Sequence, residues 1–207
     1  MFLSNVLRRM LPRAVRSRGS SRPAHGQRSR ARLLILEALE DRMLLSFSFT
    51  LLADDGPQSM FSVLTGVLPS VSDQGTAKFH GTLRSTGAEG VFTRDMNGAL
   101  GIIAVTSDQF KAFPISGGIN DAGTVSFGAA LNDGTQAIFT GQGAALSRIA
   151  DTSSSSPFSS FLPPAANINN DEMVAFRATL RSGGTAIVLG STGQAPQTLY
   201  VLSLIHI

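Results

Sequence analysis

Ile119–Leu131 reads INDAGTVSFGAAL, and the chain writes this pattern three times. An earlier copy, VSDQGTAKFHGTL, runs from Val71 to Leu83; a later one, INNDEMVAFRATL, runs from Ile168 to Leu180. The copies start 48 and 49 residues apart, and a fixed period in this range marks a repeat architecture. Each copy makes physical sense as a turn feeding a strand. Asn120 and Asn169 can bond backbone two residues on, and Gly75 and Gly123 can take a positive φ. Val125, Phe127, Ala129 and Leu131 then alternate with Thr124, Ser126, Gly128 and Ala130. The outer copies repeat the alternation through Phe79 and Phe176, and a period of two favours strand over helix.

A polar, Gly-rich turn follows each copy, and Asn132-Asp133-Gly134 is a strong hairpin signal. A second apolar run returns at Val91-Phe92, Ala137–Phe139 and Ala186–Leu189. A third strand is expected near Leu100 and Leu146, and a looser fourth segment after it. The body starts in mid-repeat, because Leu51–Leu64 aligns with Arg148–Phe161 at a distance of two periods. Four strands in about 48 residues is the size of a propeller blade. The expectation is an all-β chain, an incomplete β-propeller of antiparallel four-stranded blades: two complete blades and parts of two others. Another β-repeat or a sandwich is the alternative. Phe79, Phe127 and Phe176 should be buried at equivalent positions, with Phe176 less costly to truncate than Phe127 and Ser126 on a less critical face.

Charge divides the chain. Residues 1–46 hold ten arginines against three acids, whereas the remainder holds seven basic and eleven acidic residues. The high isoelectric point belongs to the tail, so no nucleic-acid role is read into the body. Residues 1–32, rich in Arg, Ser and Gly, are expected to form a disordered basic tail. Arg8-Arg9 is a faint twin-arginine signal, but Pro12, Arg13 and Arg16 break the apolar region that should follow. Residues 33–46 have the spacing of a short amphipathic helix. There is no cysteine, hence no disulfide framework or thiolate chemistry. No run reaches the length of about 18 apolar residues that a membrane span needs.

Leu36–Ser46, LEALEDRMLLS, resembles the LEPR-XLL type of N-terminal motif, with Ala38 where Pro is more usual. That resemblance implies a sorting or export element. Asn120, Gly123, Ser126 and Phe127, with Asn169, Ala175 and Phe176, resemble the NxxGxxxAF tandem repeat of exported bacterial proteins. The first copy matches through Ser72, Gly75, Lys78 and Phe79, and Glu172 replaces Gly in the third. The repeat region is taken as residues 47–201. Residues 202–207, LSLIHI, resemble a translated sequencing adapter and are read as a non-native tail; a natural edge strand is the alternative.

No GxSxG elbow, P-loop or HExxH pattern occurs. His25 lies in the tail and His206 in the last six residues, while His80, beside Lys78, reads as a surface or inter-blade residue. Asp95-Met96-Asn97-Gly98 has the look of a calcium loop, as has Asp121, but position 106 is Thr rather than the required Glu. Asp73, Asp121 and Asp171 are near-recurrent acids that read as turn residues. No catalytic, cofactor-binding or metal residue is assigned, and no cofactor is expected. The chain reads as an exported, non-enzymatic β-repeat scaffold or binding module at the cell surface. Its expected partners are a surface ligand or polysaccharide and the remaining blades of its own full-length chain. A fragment of a propeller enzyme acting on polysaccharide is the alternative.

Overall fold

The computed structural model describes residues 48–65, 68–107 and 109–202. Among these residues the protein is all-β, with no helix and with a curled, half-barrel sheet. The expected tail and short helix, residues 1–32 and 33–46, lie outside the described residues, as do residues 203–207.

Repeat 1 holds β1 (Phe61–Leu64), β2 (Ser70–Val71), β3 (Ala77–Leu83), β4 (Glu89–Arg94) and β5 (Leu100–Val105). Repeat 2 holds β6 (Phe110–Gly117), β7 (Val125–Leu131), β8 (Gln136–Gly141) and β9 (Leu146–Asp151). Repeat 3 holds β10 (Phe158–Ile168), β11 (Val174–Leu180), β12 (Thr185–Gly190) and β13 (Gln197–Leu202). Each is an antiparallel meander. The strand that follows the Asn-type turn comes second, and short hairpins carry the chain on to the third and fourth. In repeat 1 the first strand is broken, so that β1 and β2 both pair with β3.

Sequence reading puts the looser segment last in each unit. In the structure that segment pairs with the turn strand that follows it, as Phe110 does with Leu131 and Phe158 with Leu180. The described residues therefore make three whole meanders, not two with parts of two others. The reason is local. The turn at Asn120 folds β6 back onto β7 as a hairpin, and an adjacent antiparallel strand is the nearest available partner.

The turn itself is built as its residues dictate. Asn120 Oδ1 accepts the Thr124 N–H at 2.9 Å, and Gly123 donates to the Asn120 carbonyl at 3.0 Å with φ at 81°. Ser72 and Gly75 do the same in repeat 1. In repeat 3, Asn169 caps Met173, and Glu172 takes the glycine's place at φ 58°. The left-handed turn is thus kept in all three repeats, at the cost of a non-glycine residue in the third.

Each repeat has a front face carrying the recurrent phenylalanine and a back face carrying the residues on either side of it. The front of repeat 2 (Phe110, Phe127, Phe139, Val125) packs on the back of repeat 1 (Val91, Ile103, Ala104) in one core cluster. The front of repeat 3 (Phe158, Phe161, Phe176, Val174) packs likewise on the back of repeat 2 (Ile138, Ile149, Ala150). Stacked phenylalanine edges and faces fill these layers, for example Phe127 on Phe139 with centroids 5.7 Å apart. Phe127 and Phe176 are 0% and 3% exposed, whereas Phe79, between the buried Phe61 and Phe92 on the front of repeat 1, is half-buried. Phe176 is as enclosed as Phe127, against the expectation that it would be the cheaper to truncate, and Phe79 is less buried than expected. The phenylalanine column looks toward the preceding repeat, so Phe79 and not Phe176 is the less covered member.

Candidate functional site

Two seams, one between each consecutive pair of repeats, hold most of the buried polar side chains of the described residues. Along one rim the turns are stitched into a ladder. Asp73 donates its N–H to Asp121 Oδ1 at 2.8 Å, and Asp121 donates its own to Asn170 Oδ1 at 3.0 Å. Asn170 Nδ2 returns a bond to Asp121 Oδ2 at 2.7 Å, and Asn120 Nδ2 donates to the Asn169 carbonyl at 3.2 Å. Gln142 ties the loop after β8 to the same rim through the Ala122 carbonyl. Equivalent turn positions thus hold one another from repeat to repeat.

Of the three recurrent acids, the structure brings Asp73 and Asp121 together and leaves Asp171 outside the ladder. Asn170 fills the third place instead, and Asp171 gives its N–H to Asn169 Oδ1 within its own turn. Asp95 holds the N–H groups of Asn97 and Ala99 at 2.9 and 2.8 Å, which is turn chemistry at the stretch that looked like a calcium loop. Asp133 is bonded by Thr135 through side chain and backbone, and these bonds hold its carboxyl below the usual range.

Deeper in the first seam lie two groups that the alternation pattern places on the face opposite Phe79. Lys78 and His80 are 0% and 1% exposed on the back of repeat 1. The Lys78 ammonium donates to Ser116 Oγ at 3.1 Å and to the Gly117 carbonyl at 3.4 Å, both on β6. Burial lowers its pKa to about 8. His80 stands edge-on to Phe113 at 6.5 Å, and neither ring nitrogen has a hydrogen-bond partner. Burial, and then the neighbouring Lys78 charge, lower its pKa to about 3. His80 is therefore an inter-repeat residue and neutral at physiological pH.

The second seam has the same frame with different side chains. Ser126, equivalent to Lys78, donates from its hydroxyl to the Ala166 carbonyl of β10, and Gly128 replaces His80. Here β6 and β10 also pair in parallel over two residues, Ser116 with Ala165 and Gly117 with Ala166. Nothing in the copy pattern alone marks Lys78 and His80 as buried. The usable signal at Lys78 was the small size of its counterparts, Ser126 and Ala175, whereas those of His80 are Gly128 and the exposed Arg177 and give no consistent sign. A hollow of about 50 Å³ lies beside Met173, Leu189, Ser191 and Gln194, far smaller than an ordinary ligand pocket.

No group of three or more metal-ligating side chains occurs among the described residues, and no helix there is long and apolar enough to cross a membrane. A family model described as a family of unknown function, DUF7453, matches residues 50–199. No curated protein and no solved structure gave a match.

Proposed function

The chain belongs to this family of unknown function, DUF7453, and we propose that it is a non-enzymatic β-scaffold, an arc of a propeller that serves as a binding or structural module at the cell surface. One observation carries the non-enzymatic part: where the carboxylates go. Asp121 commits both oxygens to the neighbouring turns, and Asp95, Asp133 and Asp151 each hold backbone N–H groups of their own turns. A carboxylate engaged in this way stabilises a loop, whereas a general acid or base must reach a substrate proton.

The propeller part is supported by the way the repeats adjoin. Their first strands are neighbours, through the parallel pairing of β6 with β10 and through Ser70 of β2 reaching the Gly117 carbonyl of β6, and Lys78 of the second strand, β3, reaches the same carbonyl. A propeller sets four-stranded blades side by side around a central channel, which brings one strand of each close to its neighbour, and closure takes at least four blades. The export part rests on the likeness of Leu36–Ser46 to LEPR-XLL and of the turns to NxxGxxxAF.

The test is a screen of the full chain against soluble polysaccharides, read both for binding and for release of reducing ends. Binding without release is expected. Hydrolysis that survives purification to homogeneity overturns the proposal in favour of a propeller enzyme.

A further inference from the structure

The two seams differ in how the backbone crosses them. Repeats 2 and 3 share one eight-stranded sheet, joined where β6 pairs with β10, whereas repeat 1 is a sheet of its own. Among the described residues no strand pairing crosses the first seam, and each hydrogen bond across it involves a side chain. Ser116 Oγ donates to the Leu68 carbonyl at 2.9 Å and Ser70 Oγ to the Gly117 carbonyl at 3.5 Å, and Lys78 reaches Ser116 and Gly117. On the rim Asp73 bonds Asp121, where the second seam has the bonds of Asp121 with Asn170, of Asn120 with Asn169 and of Thr124 with Glu172. The first seam is the more weakly tied.

Within it sits His80, 1% exposed, edge-on to Phe113 and with no partner on either ring nitrogen. A protonated ring has two N–H donors to satisfy, and a charge buried without acceptors is costly. The nearby acceptors, Ser116 Oγ and the Gly117 carbonyl, are already taken by Lys78. The charges around the ring are mostly of the wrong sign. Lys78 lies two residues away on the same face, β6 brings the exposed Lys111, and Arg148 of repeat 2 stands over Phe139 in the same layer. Glu89 of β4 shares the face, half-buried opposite Thr82 and two pairs from His80, while Arg94 is on the other face. β5 and β7 carry no titratable side chain. The ring therefore takes up a proton only where water reaches it, which requires the two repeats to separate. At the second seam Ser126 and Gly128 hold the equivalent places and offer nothing to titrate.

We infer that the first seam is an acid-operated latch: proton uptake by His80 parts repeat 1 from repeat 2 and leaves repeats 2 and 3 joined. The closed form holds the ring at a pKa of about 3 and the parted form returns it to its ordinary 6.5, so closure is favoured above the upper value and progressively lost below it. By pH 4 the ratio of parted to closed forms should rise about 200-fold over its value at pH 7. Lys78, at about 8 in the closed form, is protonated in both forms over most of that range and adds little to the change. The latch is independent of the function proposed above.

The chain has no cysteine, so pairs of spin labels can be placed across each seam. Ser85→Cys with Ala144→Cys spans the first seam and Ala144→Cys with Thr192→Cys the second, all at exposed loop positions. Label distances in the full chain between pH 7 and pH 4 should show a second, longer population for the first pair only, reversed on return to pH 7. His80→Leu should hold the first pair at its pH 7 distance throughout. The absence of a longer population by pH 4 overturns the proposal. So does lengthening of both pairs together, or an unaltered response in His80→Leu. Should the leucine variant fail to fold, the nitrogen-15 signals of His80 in the unaltered chain decide the matter. Ring protonation is expected to track the lengthening of the first pair, and a ring that titrates near pH 6.5 with the seam still closed overturns the latch.

Discussion

The two seams are built on one frame and filled with different chemistry. Both stack an aromatic front on an aliphatic back, and both are stitched along the rim by the turn ladder. In the first, the residues flanking the recurrent phenylalanine are Lys78 and His80, an ammonium with two neutral acceptors and an imidazole with none. In the second they are Ser126, whose hydroxyl donates to the Ala166 carbonyl and accepts the Gly118 N–H, and Gly128, where a β-carbon would lie 2.6 Å from that of Ile115. Stacking is thus specified by the turns and the phenylalanine layer, while the polar filling varies. A buried group without partners costs stability that a hydroxyl or a glycine does not.

The largest expected effect lies in the shared layer. Phe127→Ala should cost about 3–5 kcal/mol, and Phe176→Ala a similar amount, because both are enclosed. Phe79→Ala should cost clearly less, since solvent already reaches that ring. Urea unfolding of the three variants measures this. Equal losses at 79 and 127 would mean that the front of repeat 1 is covered in solution.

The seams should also part company on acidification. His80 has a folded pKa of about 3 against an ordinary value of 6.5, so the unfolded chain binds the proton first as pH falls. Its contribution to stability is fully present above about pH 6.5 and is lost as pH drops toward 3. At about 1.4 kcal/mol per pH unit, the loss by pH 4 is up to about 3 kcal/mol. Lys78, at about 8 against 10.5, acts in the same sense higher up, so that stability rises with pH between those values. Exchange protection in β4 and β5 should therefore fall before that in β11 and β12 as pH is lowered. His80→Leu should flatten the acid limb, and an unchanged profile would show that the imidazole is solvated.

The repeat itself was legible from its period and its turns, since Asn-x-x-Gly dictates a local geometry that needs no neighbour. Which face met the next repeat was not. Alternation says only that residues i and i+2 share a face, and a sheet packed on both sides buries both sets. Alternation accordingly left His80, beside Lys78, open between surface and inter-blade and gave Ser126 the less critical face, and all three are interior. The ladder was illegible for a related reason. Asp73 and Asp121 could be recognised as turn residues, but their bond depends on how two turns lie side by side, and that is fixed by the phenylalanine layer many residues away.

A smaller effect separates the seams at their polar positions. Ser126→Ala removes the donor to the Ala166 carbonyl and should cost about 1 kcal/mol, more if water cannot reach the orphaned oxygen. Lys78→Met removes a buried charge with no acidic partner and should be neutral or stabilising, with the alkaline pH dependence gone. Thermal melts at pH 7 and pH 9 compare them. A larger loss from Lys78→Met than from Ser126→Ala would reverse the lesson of the comparison and make the ammonium the chief clasp of its seam.

The smallest effect tests the turns that both seams share. Glu172 holds φ at 58° where Gly75 and Gly123 stand at 80° and 81°, and a β-carbon in that region costs about 1 kcal/mol. Part of this is offset, because Glu172 Oε1 accepts the Thr124 hydroxyl across the second seam at 3.2 Å. Glu172→Gly should therefore gain a few tenths of a kcal/mol up to about 1, the strain relieved less the bond lost. Thr124→Val in the same background separates the two terms, since it removes the bond without touching the turn. The reverse substitutions sharpen the point. A β-carbon at Gly123 meets nothing within 4 Å, whereas one at Gly75 would lie 2.9 Å from Met96 Cγ. Gly123→Glu should cost about the strain alone, and Gly75→Glu more, by whatever it takes to move Met96. If Glu172→Gly destabilises, the carboxylate's bond to Thr124 outweighs its backbone strain, and the third turn is held by the seam and not by its own geometry.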